Sequence, residues 1–161
     1  MSSDFPNLFD RLAGGSVDFV IVGDYAGVVY GVINVTQTLE ICCDFAVANL
    51  LTLQGAIADL HPVHRMTPGR QPLELTPENA ADFKNLYLDT DLGHLDCLSY
   101  IEGLGGFAQV KEVSIPIEVE GMALRVLTLD ALIRAKEALH RPRDREALRQ
   151  LKAIRKLRQE P

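Results

Sequence analysis

Two acidic residues, each inside a strand-like run, could do chemistry together. Glu40 lies in Thr38-Leu39-Glu40-Ile41, and Asp96 lies in Gly93-His94-Leu95-Asp96-Cys97-Leu98. A carboxylate on a strand points squarely out of one sheet face, and carboxylates from neighbouring strands are hard oxygen ligands for divalent cations such as Mg²⁺. Two cations held this way can clamp the attacking and leaving oxygens of a phosphoryl transfer. Upstream, an apolar run at 17–22 leads straight into Gly23-Asp24-Tyr25-Ala26. Glycine at such a junction lets a helix N-terminus come close to a phosphate.

The neighbouring residues admit two readings each. Alternation puts Thr38, Glu40, Cys42 and Asp44 on one strand face. Asp44 is four residues beyond Glu40, roughly 13 Å along the strand, too far to share one cation with it. Asp24 could join Glu40 and Asp96 from its loop. Glu40 and Asp96 are either metal ligands or partly buried acids paired with cations such as Lys136 or Arg141. Lys136 either faces a cleft or runs its stem past Leu132 and Leu139. Arg141 and Asp144, three apart at a helix start, read as a structural ion pair. His94 shares a face with Asp96. His61 and His64 sit in a proline-rich loop and read as surface residues, and Tyr25 and Tyr30 read as helix packing. Gly103-Leu-Gly-Gly106 is too short for a phosphate-binding Walker loop.

The elements that must position these residues follow from pattern. Residues 5–13 form a helix capped by Asp4, and 17–22 a buried strand. Residues 24–30 form a small helix ended by Gly31, 38–45 a second strand, and 46–60 an apolar helix. Residues 61–77 are a loop or short edge segment, and Thr76-Pro77-Glu78-Asn79 opens a short helix. Strands at 85–90 and 94–101 flank a turn, followed by a loop and short helix over 103–110 and a hairpin of 113–119 with 122–127. Thr128 caps a helix over 129–140 whose apolar face includes Leu129, Leu132, Ile133 and Leu139. Pro142 interrupts it, and a last helix runs from 143 to about 158. This order predicts an α/β (α+β) chain with a mixed sheet.

With these segments in this order, the sequence resembles the nucleotidyltransferase superfamily in its minimal single-domain bacterial form. The usual pattern is strand, Gly-Gly or Gly-Ser, short helix, Arg-x-Thr-x-Asp-hydrophobic-Asp, and later a third Asp on a strand. Here the counterparts are Gly23-Asp24, then Asn34-Val-Thr36-Gln-Thr38-Leu-Glu40, then Asp96, with a tail of Leu127-Thr-Leu-Asp130-Ala-Leu-Ile133-Arg-Ala-Lys136 and His140-Arg141-Pro-Arg-Asp144. The resemblance spans about residues 7–151. It implies a nucleotidyltransferase-like mixed sheet flanked by helices over 1–127, with C-terminal helices of 128–161 packed on it as one unit. It also implies transfer of a nucleoside monophosphate from a nucleoside triphosphate to an acceptor, with Mg²⁺. Glu40 and Asp96 would be the catalytic metal ligands, and Gly23, Asp24, Thr38 and Lys136 would meet the nucleotide. The departures imply an alternative. Asp24 replaces the second glycine, Asn34 the arginine, Thr38 the first carboxylate, and Glu40 a shorter Asp. A catalytically degenerate member, a pseudoenzyme binding a nucleotide or a protein partner, as in a toxin–antitoxin pair, fits them.

The chain has 161 residues, 47% of them apolar, and a net charge of −6. This composition excludes a disordered tail, a collagen-like fibre and a coiled-coil rod. Charge is split: ten basic and four acidic residues follow position 133, while the part before it holds six basic and eighteen acidic. With the resemblance in place, the split reads as two walls of a nucleotide cleft rather than a nucleic-acid surface. No apolar run reaches the ~18–20 residues of a membrane span, and Met1-Ser-Ser-Asp-Phe-Pro does not read as a signal peptide. Cys42, Cys43 and Cys97 are odd in number and read as small buried thiols of a cytoplasmic protein.

Overall fold

A computed structural model describes residues 3–159; Met1 and Ser2 of the leader reading, and Glu160 of the charge count, lie outside the described residues. Helix α1 (Phe5–Gly14) starts where the Asp4 side chain accepts a hydrogen bond from the Asn7 amide, and it buries Leu8, Phe9 and Leu12. Strand β1 (Phe19–Val22) is buried along its whole length. Helix α2 (Gly23–Tyr30) follows without a linker and ends at a left-handed Gly31. Strand β2 (Thr38–Cys43) and the apolar helix α3 (Val47–Ile57) come next. The 61–77 stretch contributes only the two-residue edge strand β3 (Val63–His64). The Thr76 turn leads to one short 3₁₀ turn, Ala80–Asp82.

Strands β4 (Asn85–Thr90) and β5 (Gly93–Leu98) form a hairpin. The strand expected over 94–101 is not continuous. Residues Tyr100–Ile101 (β6) leave the main sheet and pair with Gly105–Gly106 (β7). Gly103 and Gly105, with φ of 83° and 118°, permit this reversal at positions where a side chain would be strained. Helix α4 (Phe107–Glu112) leads to the hairpin β8 (Ser114–Val119) and β9 (Met122–Leu127), then to helices α5 (Leu129–Leu139) and α6 (Arg145–Gln159). Thr128 caps α5 through a hydrogen bond from the Ala131 amide.

Among the described residues, seven strands form one mixed sheet in the order β3-β4-β5-β2-β1-β9-β8. β1 runs antiparallel to β2 and parallel to β9, and β2 runs parallel to β5. Helix α1 packs on α3, while α2 packs on β2 and receives both α5 and α6. The core runs through the sheet, with Ile21, Leu39, Ile41, Leu88 and Leu95 fully buried. Leu139 departs from its expected place on the apolar face of α5: it is exposed at the end of the helix.

Candidate functional site

The parallel register of β2 and β5 sets Glu40 directly beside Asp96 and Thr38 beside His94. The antiparallel partners extend the row, with Tyr87 on β4 opposite Asp96 and Val22 on β1 opposite Glu40. Paired residues share a sheet face, so Tyr87, Asp96, Glu40 and Val22 line up across four strands. They lie in a cleft of about 760 Å³ walled on the other side by Lys136 and Leu132 of α5 and by Arg141 and Arg143. All six residues singled out as site candidates, Gly23, Asp24, Thr38, Glu40, Asp96 and Lys136, line this one cleft.

Gly23 has a φ of 67°, and a Cβ built there would come within 2.7 Å of Glu40 Oε1. Glycine is therefore required both by the backbone and by the carboxyl packed against it. Burial pushes the Glu40 carboxyl up, and the charges of Asp24 and Asp96 push it further; Arg141 and Lys136 pull back without cancelling the rise. Glu40 has no ion-pair partner of its own among the described residues, whereas its neighbours do. Arg65 donates to Asp96 Oδ1 at 2.7 Å and to the Leu88 carbonyl at 2.8 Å, and both Arg65 and Asp96 are half-buried.

A second ion-pair network closes the opposite wall. Lys136, 2% exposed, donates to Asp24 Oδ1 at 2.8 Å and lies 3.3 Å from Asp144 Oδ1. Arg141 donates to Asp144 Oδ2 at 2.6 Å. Burial works against the Asp144 charge, but the Arg141 hydrogen bond and the Lys136 charge outweigh it and hold that carboxyl below its usual value. Arg141 and Asp144 thus make the structural pair expected of them, with Lys136 as a third member.

A two-cation clamp needs carboxylates free to face metal. The described residues contain no group of three His, Cys, Asp or Glu side chains placed to hold a metal ion. Asp96 already carries Arg65, Asp24 already carries Lys136, burial works against the charge of Glu40, and Thr38 offers only a hydroxyl. This donor set does not fit the clamp.

The remaining candidates fall outside the cleft chemistry. Asp44 accepts from the Ala46 amide in a local turn. His61 pairs with Asp91 at the surface, His64 stacks on Phe83, and His94 lies 3.6 Å from Asp89. Tyr25 packs edge-on against Phe5 and Phe9, and the Tyr30 hydroxyl donates to the Leu127 carbonyl. All three cysteines are free and buried, and burial pushes the Cys42 thiol up to about 12. Arg65, Tyr87 and Tyr100 are cleft residues that sequence reasoning passed over. Arg65 sits in a stretch with no periodic pattern, and only the pairing of its amide with the Tyr87 carbonyl brings it over β5.

Solved structures share this fold. The lincosamide antibiotic adenylyltransferase LnuA, in its lincomycin-bound form, superimposes with a TM-score of 0.64 at 14% identity, over 96% of this chain and 99% of that one. The chain has the nucleotidyltransferase fold. A Thermotoga maritima protein described as a nucleotidyltransferase matches with a TM-score of 0.57 at 18% identity, over 91% of this chain and 88% of that one. ANT(2")-Ia in complex with adenylyl-2"-tobramycin matches with a TM-score of 0.55 at 13% identity, over 95% and 93%. No protein-family model and no curated protein matches the sequence. None of the described helices of this nucleotidyltransferase-fold chain is long and apolar enough to cross a membrane.

Proposed function

We propose that this nucleotidyltransferase-fold chain is a nucleotide-binding module that takes its ligand without divalent cations, and that nucleotidyl transfer is not its activity. The observation that carries the reading is the internal pairing of two of the cleft acids: Arg65 occupies Asp96, and Lys136 occupies Asp24. Phosphate charge would then be met by protein cations rather than metal. Arg143 lines the cleft and has no ion-pair partner among the described residues, and Arg141 lies beside it. Guanidinium groups suit phosphate oxygens because they present paired donors in a fixed plane. We place the protein in the cytoplasm, on the support of its three free thiols.

A second reading, transfer of a nucleoside monophosphate to an acceptor with Mg²⁺, draws on one observation: Glu40 and Asp96 are direct cross-strand neighbours. Calorimetric titration with ATP, once in Mg²⁺ and once in EDTA, separates the two. Equal affinity in both buffers, weakened in Arg143→Ala, is the expected result. Binding that needs Mg²⁺ and disappears in Asp96→Ala would support transfer instead, and no ATP binding in either buffer would overturn nucleotide binding altogether.

A further inference from the structure

Exposed apolar side chains are not spread evenly over this molecule. Among the described residues eight large hydrophobic side chains are exposed, and four of them line the same cleft: Val35 at 83%, Tyr100 at 57%, Leu139 at 42% and Tyr87 at 37%. They come from four separate segments: the loop before β2, the β6 strand, the end of α5, and β4. Single exposed apolar residues need no explanation, but their convergence at one concave site marks a surface that something covers. Two of the four are tyrosines whose positions the fold sets independently. Tyr87 is held in the row that contains Asp96 and Glu40. Tyr100 is set by the β6–β7 ribbon, where it pairs with Gly106.

The same cleft also holds a cation for the charged end of a ligand. Asp96 and Asp24 are paired, Glu40 and Glu102 line the cleft without an ion-pair partner among the described residues, and Arg143 faces it with no partner among the described residues either. An anion seated at Arg143 would meet a guanidinium that no carboxylate of the described residues already occupies. We propose that the cleft recognises a small aromatic anion, with the ring contacting Tyr87 and Tyr100 and the phosphate or carboxylate taken by Arg143. The proposal rests on the nucleotide-binding reading for the phosphate end and adds the ring-selective end. A nucleobase and a simple aryl group share this chemistry.

The chain has no tryptophan and four tyrosines, and Tyr25 and Tyr30 are packed into the fold. Tyr87 and Tyr100 are therefore the tyrosines that a cleft ligand can reach, and calorimetry reads the binding of a probe whether or not it carries a ring. Three probes are titrated: AMP, 1-naphthyl phosphate, and ribose 5-phosphate, which keeps the phosphate but has no ring. Aromatic stacking predicts that both ring-bearing probes bind at least about tenfold tighter than ribose 5-phosphate. Calorimetry on Tyr87→Ser/Tyr100→Ser, and on Tyr100→Ser alone, should show that preference lost or reduced; both side chains are exposed, and far-UV circular dichroism checks the fold. Tight naphthyl phosphate binding that the variants abolish, with no AMP binding, would uphold the aromatic site and overturn the nucleotide reading. Equal affinity for all three probes, or a ring preference unchanged in both variants, would overturn the aromatic site while leaving the phosphate end standing.

Discussion

Replacing Lys136 by methionine keeps the volume of the side chain and removes its charge. In the native protein Lys136 is 2% exposed, with Asp24 at 2.8 Å and Asp144, itself 3% exposed, at 3.3 Å. Removing one member of a buried ion pair costs about 3–5 kcal/mol, because the partner is left charged and unpaired. Two features hold the cost near the lower end. Arg141 keeps its 2.6 Å contact with Asp144, and the Asp24 side chain is 32% exposed, so water partly replaces the lost ammonium. A loss of about 3 kcal/mol in a domain of this size lowers Tm by roughly 6–12 °C. The sign with pH follows from Asp144, held below its usual 3.8. An acid with a depressed native pKa contributes stability above its unfolded value and loses it as pH falls through the native one. The gap between wild type and Lys136→Met should therefore be complete at neutral pH and shrink below about pH 4, where the orphaned Asp144 carboxylate takes up a proton. Thermal melts at pH 7 and pH 3 measure it, and adding Asp24→Asn and Asp144→Asn to the variant should recover part of the loss. A Tm within about 2 °C of wild type at pH 7, or a deficit unchanged at pH 3, would refute the claim that Lys136 neutralises buried acid.

Two further expectations concern Glu40. Its carboxyl is pushed up by burial and by the charges of Asp24 and Asp96, so ionising it costs native stability as pH rises from the usual 4.5 through the native value. Glu40→Gln should be more stable than wild type at pH 7, with the gap closing towards pH 4; urea midpoints across that range test it, and a pH-independent gap would count against it. Gly23→Ala places a Cβ 2.7 Å from Glu40 Oε1 at a φ of 67°, and left-handed backbone alone costs about 1–2 kcal/mol. A fall of several degrees in Tm is expected, partly relieved when Glu40→Ala is combined with it; strict additivity of the two changes would show that the carboxyl is not what Gly23 accommodates.

The order of elements, the caps at Asp4 and Thr128, the Gly31 stop and the hairpin about Glu120-Gly121 were legible in the chain because each is a local matter. Hydrophobic period, a capping oxygen and a glycine in a turn act over a few residues. The convergence of Gly23, Asp24, Thr38, Glu40, Asp96 and Lys136 on one cleft was legible for a different reason: a family pattern orders those segments along the chain. What the sequence left open was the state of the acids. Glu40 and Asp96 read equally well as metal ligands and as ion-pair partners, because the choice depends on which cations the tertiary fold brings within about 4 Å. Arg65 shows why. It is 31 residues from Asp96 and lies in a stretch without pattern, and it reaches that carboxylate only because β3 adds to the edge of β4. Tyr100 comes to the cleft rim because the expected continuous strand breaks after Leu98, a choice made by two glycines further on. Local chemistry wrote the elements and the positions of the acids, while long-range pairing decided which of those charges are free to meet a ligand.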